Sequence, residues 1–154
     1  MRPQRRGRSI AMTADEIDAF LAEERTCRVA TVSASGRPHV APLWFVWDGT
    51  HLWLHSIVKS QRWTNLTGNP DIAVVIDAGT DYLELRGVEI HGQAVVVGEV
   101  PRTDTPDPAP HEPELLFART YLGGDQFFAD RRHAWLQITP DKITSWSFAK
   151  LARA

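Results

Sequence analysis

The chain has 154 residues, 43% of them apolar and 23% charged, with a formal net charge of −2. This is enough for one domain with its own core, in the globular rather than the disordered range. Near-neutrality leaves no electrostatic footprint for nucleic acid, no apolar run approaches the ~20 residues of a membrane span, and the single Cys27 excludes an internal disulfide framework and a cysteine-cluster metal site. Neither a nucleic acid nor a membrane is expected as a partner, and a cytoplasmic location is.

The first eleven residues carry Arg2, Arg5, Arg6 and Arg8 with no apolar core behind them. They are expected to form a disordered basic arm rather than a signal peptide, with a single domain over 12–154. Thr13-Ala14-Asp15-Glu16 is a capping box, and Ile17, Phe20 and Leu21 recur at helical spacing, so 14–24 is expected to be an amphipathic helix. Residues 27–32 alternate as a strand, with Cys27, Val29 and Thr31 on one face. Ser35-Gly36 turns the chain into a second strand, 39–47, where Pro42 implies an edge position or a bulge. Asp48-Gly49 is a hairpin signal of the type I′ kind, and 51–56 returns antiparallel.

The third strand feeds the most informative stretch of the chain. Ser56-Ile57-Val58-Lys59-Ser60-Gln61-Arg62 leaves the strand and enters a short helix stopped by Gly68-Asn69-Pro70. A helix start has unpaired N–H groups and a favourable dipole for an anion. Arg62 adds a forked donor and Lys59 a point charge, so the segment is a candidate phosphate turn. Further on, 72–77 reads as a buried strand. Residues 82–97 read as a long one bent at Gly87 and Gly92. Residues 101–113 hold five of the ten prolines and form a surface excursion. Residues 112–121 look helical, and 133–139 with 142–148 are expected to form a last hairpin around Pro140-Asp141. Six or seven short strands in meanders, without βαβ alternation, point to a mainly β fold: an antiparallel barrel with short peripheral helices.

The chemistry is defined largely by exclusion. His51 and His55 are four apart on one strand, about 13 Å at the rise of a strand, too far for one zinc ion; no metal site is expected. No nucleophile elbow, Walker or dinucleotide-binding glycine pattern occurs. Cys27 sits in a strand, where a buried structural thiol is the ordinary outcome. Glu84, Glu89 and Glu99 are expected to face solvent. No catalytic residue is identified, and any hard chemistry falls to a bound cofactor. Trp44, Trp47, Trp53 and Trp63 crowd twenty residues around the phosphate turn, which marks a large core or a flat-ligand site. A flat ring along Leu43, Trp44 and Phe45, beside His55, Ser56 and Ile57, would bring its phosphate to Ser60, Gln61 and Arg62.

At these residues the chain resembles the pyridoxamine 5′-phosphate oxidase-like superfamily, the FMN-binding split barrels. The resemblance rests on Ala30-Thr31-Val32 with Gly36-Arg37-Pro38-His39, on Leu43-Trp44-Phe45 with Leu52-Trp53-Leu54, and on Ser60-Gln61-Arg62 followed by Asn65-Leu66 and Asn69-Pro70-Asp71. Lys59-Ser60-Gln61-Arg62, Leu85-Arg86-Gly87-Val88 and Ser145-Trp146 with Lys150-Leu151 resemble more narrowly the deazaflavin (coenzyme F420) oxidoreductases of the B class. The resemblance implies a split barrel and a homodimer with the cofactor between subunits. It implies hydride transfer from reduced F420 to an unsaturated small molecule, with FMN chemistry or non-catalytic binding of a flavin, deazaflavin or haem as alternatives. The family's phosphate turn is usually Ser-Arg-Lys; carried over, it falls on Ser60, Gln61 and Arg62, with Lys59 restoring the charge that Gln61 lacks. Arg86, Trp146 and Lys150 are implied as lining the groove or reaching the partner's cofactor. The acidic tail of F420 calls for a basic groove, for which Arg28, Arg37, Lys59 and Arg62 are candidates. Tyr121, His55 or water would supply the second proton.

Overall fold

The structure, a computed structural model, describes residues 1–5 and 7–153; the part of the basic arm at Arg6 lies outside the described residues. Six antiparallel strands close a barrel in the order β1-β2-β3-β6-β5-β4, with β4 returning to β1. They are β1 (Thr26–Val32), β2 (Pro38–Trp47), β3 (Leu52–Ile57), β4 (Asp71–Ala78), β5 (Arg86–Val97) and β6 (His133–Ser147). Among the described residues three α-helices lie outside: α1 (Ala14–Glu23), α2 (Gln61–Gly68) and α3 (His111–Phe117). The mainly β split-barrel fold expected from the sequence is the fold observed.

Alternation places the core. Cys27 and Val29 of β1, Leu52 and Leu54 of β3, Ile72, Val74 and Ile76 of β4 and Val88 and Ile90 of β5 point inward and are buried. Phe20 and Leu21 of α1 close one end of the barrel. The capping box is formed: Thr13 Oγ1 accepts from Glu16 N, and Glu16 Oε2 accepts from Thr13 N. A second cluster lies on the outer face, where Val46, Trp53 and Trp135 are covered by Phe117 of α3.

Several expectations are corrected. The last hairpin does not exist: 133–147 is one strand, and Pro140 continues it rather than reversing it. Pro140 stands opposite Gly92, where the β5–β6 register shifts, so its missing donor falls at an irregularity of the ladder. A Cβ on Gly92 would lie 2.5 Å from the Thr139 carbonyl oxygen, so only glycine permits this approach. The turn after β2 is not type I′, since Gly49 has positive φ and Asp48 does not. Asp48 Oδ1 instead accepts from the amides of Thr50 and His51, and the carboxylate builds the loop. The start of 82–97 is a 3-10 turn at Tyr82–Glu84 before β5 begins. The helix over 112–121 ends at Phe117 and gives way to a π-helical turn at Ala118–Leu122. Pro42 behaves as expected: residues 38–44 pair with β1, while β2 meets β3 only at Phe45, Val46 and Trp47.

Candidate functional site

Period-two alternation divides the predicted ring site between the two faces of the barrel wall. Phe45 and Ser56 point inward and are 2% and 0% exposed, so neither side chain reaches a ring outside. Trp44 and His55 point outward. Leu43 packs on the core and also lines the outer cavity, and Ile57 is half-buried at the end of β3. Trp44, His55 and Leu43 thus meet at one hollow of about 460 Å³, completed by residues the sequence reading did not single out: Phe127, Phe128, Asp130 and His133. The volume suits a small-molecule site, typically ~300–1,000 Å³.

Trp44 is half exposed and stacks on Tyr121, with centroids 4.3 Å apart and planes 9° from parallel. The Tyr121 hydroxyl lies within hydrogen-bond distance of the carbonyl oxygens of Phe45 (2.6 Å) and Arg25 (2.8 Å), which share its one proton, and it accepts from Phe45 N. Burial pushes its pKa up to about 12. Tyr121 is therefore a clamp that pins the π-helical turn to β2, and it holds Trp44 flat. His55 stacks on Trp135 and on His133, each at 4.6 Å, and its Nε2 is buried with no hydrogen-bond partner among the described residues. Burial first, and then the neighbouring His133, hold its pKa down to about 3, so His55 is neutral.

The phosphate turn is a true helix start. Ser60 caps α2, its Oγ accepting from Trp63 N at 3.1 Å. The amides of Gln61 and Arg62 lie in the first turn, where helix geometry supplies no acceptor. Lys59 and Gln61 are exposed, and Gln61 Nε2 donates to Asn65 Oδ1. Arg62 departs from expectation: it is 7% exposed and turned into the mouth of the barrel, where its Nε donates to Ser56 Oγ. No carboxylate pairs with it among the described residues, and burial lowers its pKa, with the Cys27 thiol acting in the opposite sense. Beside α2, Arg37, Ser33, Ser35, His39 and Gln61 surround a polar hollow of about 430 Å³. Arg28, the other candidate cation, is paired with Asp77 at 2.8 Å.

Arg86, Trp146 and Lys150 are not brought to this site within one chain. Arg86 pairs with Glu23 and lies over the Phe20 ring. Trp146 covers Gly87, and Lys150 Nζ donates to Ala11 O and Glu16 Oε2. Cys27 is buried and its pKa is pushed up to about 12 by burial, as a structural thiol requires. No group of three or more metal-ligating side chains is found among the described residues, and no helix among them is long and apolar enough to cross a membrane.

Comparison with known proteins accords with the geometry. The family model for pyridoxamine 5′-phosphate oxidase matches residues 13–147. The chain belongs to this family of flavin-binding, split-barrel oxidoreductases. Among solved structures, a conserved hypothetical protein from Mycobacterium tuberculosis is similar over 98% of this chain and 93% of its own, at 27% identity and a TM-score of 0.80. A putative 5-nitroimidazole antibiotic resistance protein from Bacteroides thetaiotaomicron is similar over 88% of this chain and 84% of its own, at 18% identity and a TM-score of 0.71. A protein described as an F420 reductase is similar over 82% of this chain and 94% of its own, at 23% identity and a TM-score of 0.61. No curated protein matches the sequence.

Proposed function

We propose that this protein binds coenzyme F420 and uses it to reduce an unsaturated small molecule. The observation that carries the proposal is His55 Nε2. It is a buried ring nitrogen without a hydrogen-bond partner among the described residues, beside a cavity whose rim is the half-exposed Trp44. Leaving such an atom unpaired costs about 1–3 kcal/mol, which a polar atom on a bound ring would recover. A neutral imidazole can donate or accept there according to its tautomer. Trp44, held flat by Tyr121, offers a stacking face. From His55, β3 leads within five residues to Ser60 and the free amides of α2, with Lys59 exposed beside them. This end suits the phosphate, with Lys59 and the helix start as the grip; Arg62, from inside the barrel mouth, adds positive potential. Arg37 beside α2 is placed for an acidic tail.

When bound, the coenzyme would supply the hydride. The chain's own residues would stack the ring, satisfy its polar edge and exclude water. The exposed apolar residues Trp44, Leu122 and Phe128 around this cavity favour a homodimer that covers this face and brings Arg86, Trp146 and Lys150 toward the partner's groove. The proposal includes a cytoplasmic location, with access to the reduced coenzyme.

The test is to titrate purified protein with F420 and FMN separately, following tryptophan fluorescence. Binding of F420 but not FMN supports the proposal; binding of FMN alone moves it to the flavin chemistry, and binding of neither refutes both. Oxidation of F420H2 in the presence of quinones and enones then separates a reductase from a carrier. The phosphate assignment predicts that Lys59→Ala weakens cofactor binding several-fold, by up to about 1 kcal/mol for one exposed charge.

A further inference from the structure

The loop ahead of β6 brings a fixed hydrogen-bond acceptor into an otherwise aromatic cavity. Asp130 Oδ1 accepts from the amides of Arg132 and His133, so the backbone fixes the carboxylate. Its Oδ2 meets His133 Nδ1 at 2.5 Å. Burial opposes ionisation of Asp130, but the backbone donors and the imidazole outweigh it and hold the carboxyl below its usual range. An ionised carboxylate only accepts, so in the neutral imidazole the single proton sits on Nδ1 and Nε2 is a bare acceptor. Stacking on His55, with centroids 4.6 Å apart and planes 22° from parallel, sets the plane of the ring. His133 lines the cavity with one quarter of its side chain exposed, and its Nε2 has no partner among the described residues. Leu43, Phe117, Leu122, Phe127 and Phe128 line the same cavity with carbon alone, and the Trp44 indole only donates. His55 Nε2, the other ring nitrogen without a partner, is buried. A donor entering from solvent therefore meets His133 Nε2 as the accessible ring acceptor.

We propose that this cavity selects flat, mostly apolar molecules that carry a hydrogen-bond donor, phenols above all, and that His133 Nε2 accepts the donor's hydrogen. The aromatic walls take the flat body. An O–H brought in beside carbon loses its hydrogen bond to water unless the wall supplies an acceptor, and Nε2 supplies it. An ether of the same outline brings no hydrogen and leaves Nε2 unpaired, so it is rejected. Asp130 is a positioning residue, acting only by keeping the ring proton on Nδ1. The inference goes beyond the cofactor reading and does not depend on it, since no coenzyme takes part in the recognition. The polarity can also be reversed. In Asp130→Asn the amides of Arg132 and His133 claim the side-chain oxygen, so the NH2 takes the place of Oδ2 and faces Nδ1. An NH2 only donates, so Nδ1 must accept and the proton moves to Nε2. The acceptor becomes a donor with no change in the ring.

The experiment compares two probes of one outline at about pH 8, where an ordinary imidazole is neutral. The first, 2-naphthol, donates a hydrogen bond; the second, 2-methoxynaphthalene, cannot. Binding to the full chain without coenzyme is followed by the anisotropy of the probe's own fluorescence, excited beyond the tryptophan band, with thermal melts to establish folding. One hydrogen bond to an otherwise unpaired acceptor predicts that the wild type prefers 2-naphthol by ~10-fold. His133→Phe keeps an aromatic wall and loses the preference, while His133→Gln, whose carbonyl oxygen can stand in for Nε2, retains part of it. Asp130→Asn abolishes or inverts the preference, because Nε2 then donates to the ether oxygen; a pair that merely packed would shift both probes together. The inference is overturned if the wild type binds neither probe, if it shows no preference, or if the preference survives in His133→Phe. A preference that survives there but is lost in Asp130→Asn places the ligand's donor on the carboxylate, which also refutes the role of Nε2. If His133→Phe does not fold, His133→Gln and Asp130→Asn carry the comparison, and equal losses of both probes in those two proteins refute it. Failure of F420 and FMN to bind, with the preference for 2-naphthol intact and dependent on His133, refutes the cofactor proposal alone.

Discussion

The cavity stays shaped because α3 is tied down by a buried ion pair, and cutting that tie has a magnitude that can be worked out. Arg102 and Glu114 are 7% and 8% exposed. Arg102 Nε donates to Glu114 Oε1 at 2.6 Å, and Trp135 Nε1 donates to the same oxygen at 3.3 Å. Replacing Glu114 with Gln removes the charge and leaves a buried guanidinium. Breaking such a pair from one side costs about 3–5 kcal/mol. Here the low end applies, because Arg102 keeps the carbonyl oxygens of Thr103 and Thr105 and stands 3.4 Å from Glu99. About 3 kcal/mol is a large share of the ~5–15 kcal/mol that holds a domain together. At ~2–4 °C per kcal/mol it lowers Tm by roughly 6–12 °C. Urea unfolding followed by tryptophan emission measures it, with an unchanged slope expected. A loss under about 1 kcal/mol would mean that the pair is solvated and does not secure α3. The double variant Arg102→Met with Glu114→Leu should recover part of the loss, since no buried charge is then left alone.

Other outcomes follow from single contacts. Tyr121→Phe removes the clamp on Phe45, costs about 1–2 kcal/mol in urea unfolding, and leaves any reductase activity largely intact, because the hydroxyl is committed to backbone partners. His55 has its folded pKa near 3, below the ~6.5 of an unfolded chain, so the unfolded state binds the extra proton between those values. Its contribution is complete above pH ~6.5 and is lost as pH falls toward 3, by up to about 1.4 kcal/mol per unit; His55→Phe should flatten the acid limb between pH 6.5 and 5. An unchanged limb would assign it to other groups. A Cβ at Gly87 would lie 2.3 Å from Trp146 Cζ2 and 2.9 Å from Ile76 O, so Gly87→Ala should cost about 2–3 kcal/mol. Gly68→Ala, which meets nothing within 4 Å, should be neutral or stabilising in the same melt.

The barrel is legible in the sequence because its strands obey a period of two and its turns carry glycine, proline or aspartate at the right places. The alternation of Cys27, Val29 and Thr31 and the capping box at Thr13 are local signals, and both appear as read. The last strand is obscured because Pro140-Asp141 looks like a turn, and only the partner strand shows otherwise: Gly92, opposite Pro140, lets β5 approach the Thr139 carbonyl where a side chain would clash. The site is half legible. The sequence shows where aromatics and cations crowd, but consecutive residues on a strand cannot all face one ring, so Phe45 and Ser56 belong to the interior. Arg62 reads as a surface cation, yet residues in the first turn of α2 differ in direction, and its long side chain finds Ser56 inside the barrel. Asp130 and His133 escape a sequence reading because they lie far along the chain from Trp44 and His55. Only the pairing of His133 with Ile57 at the start of β6 brings them together. A clue is present in Phe127-Phe128-Ala129-Asp130, an apolar pair and a carboxylate in a loop with nothing local to pack against.

Half of β2 pairs on one side only, which exposes an edge without making it an easy template. Residues 38–44 leave one flank of the backbone open, a place where a foreign strand could be added. Pro42, in the middle of that stretch, withholds a donor and stiffens the chain, which discourages such templating. The outward side chains Val40 and Trp44 remain available on either side of it. In the proposed homodimer, contact through Val40 and Trp44 would use side chains rather than the open backbone, so it would add a companion without extending the sheet toward indefinite growth.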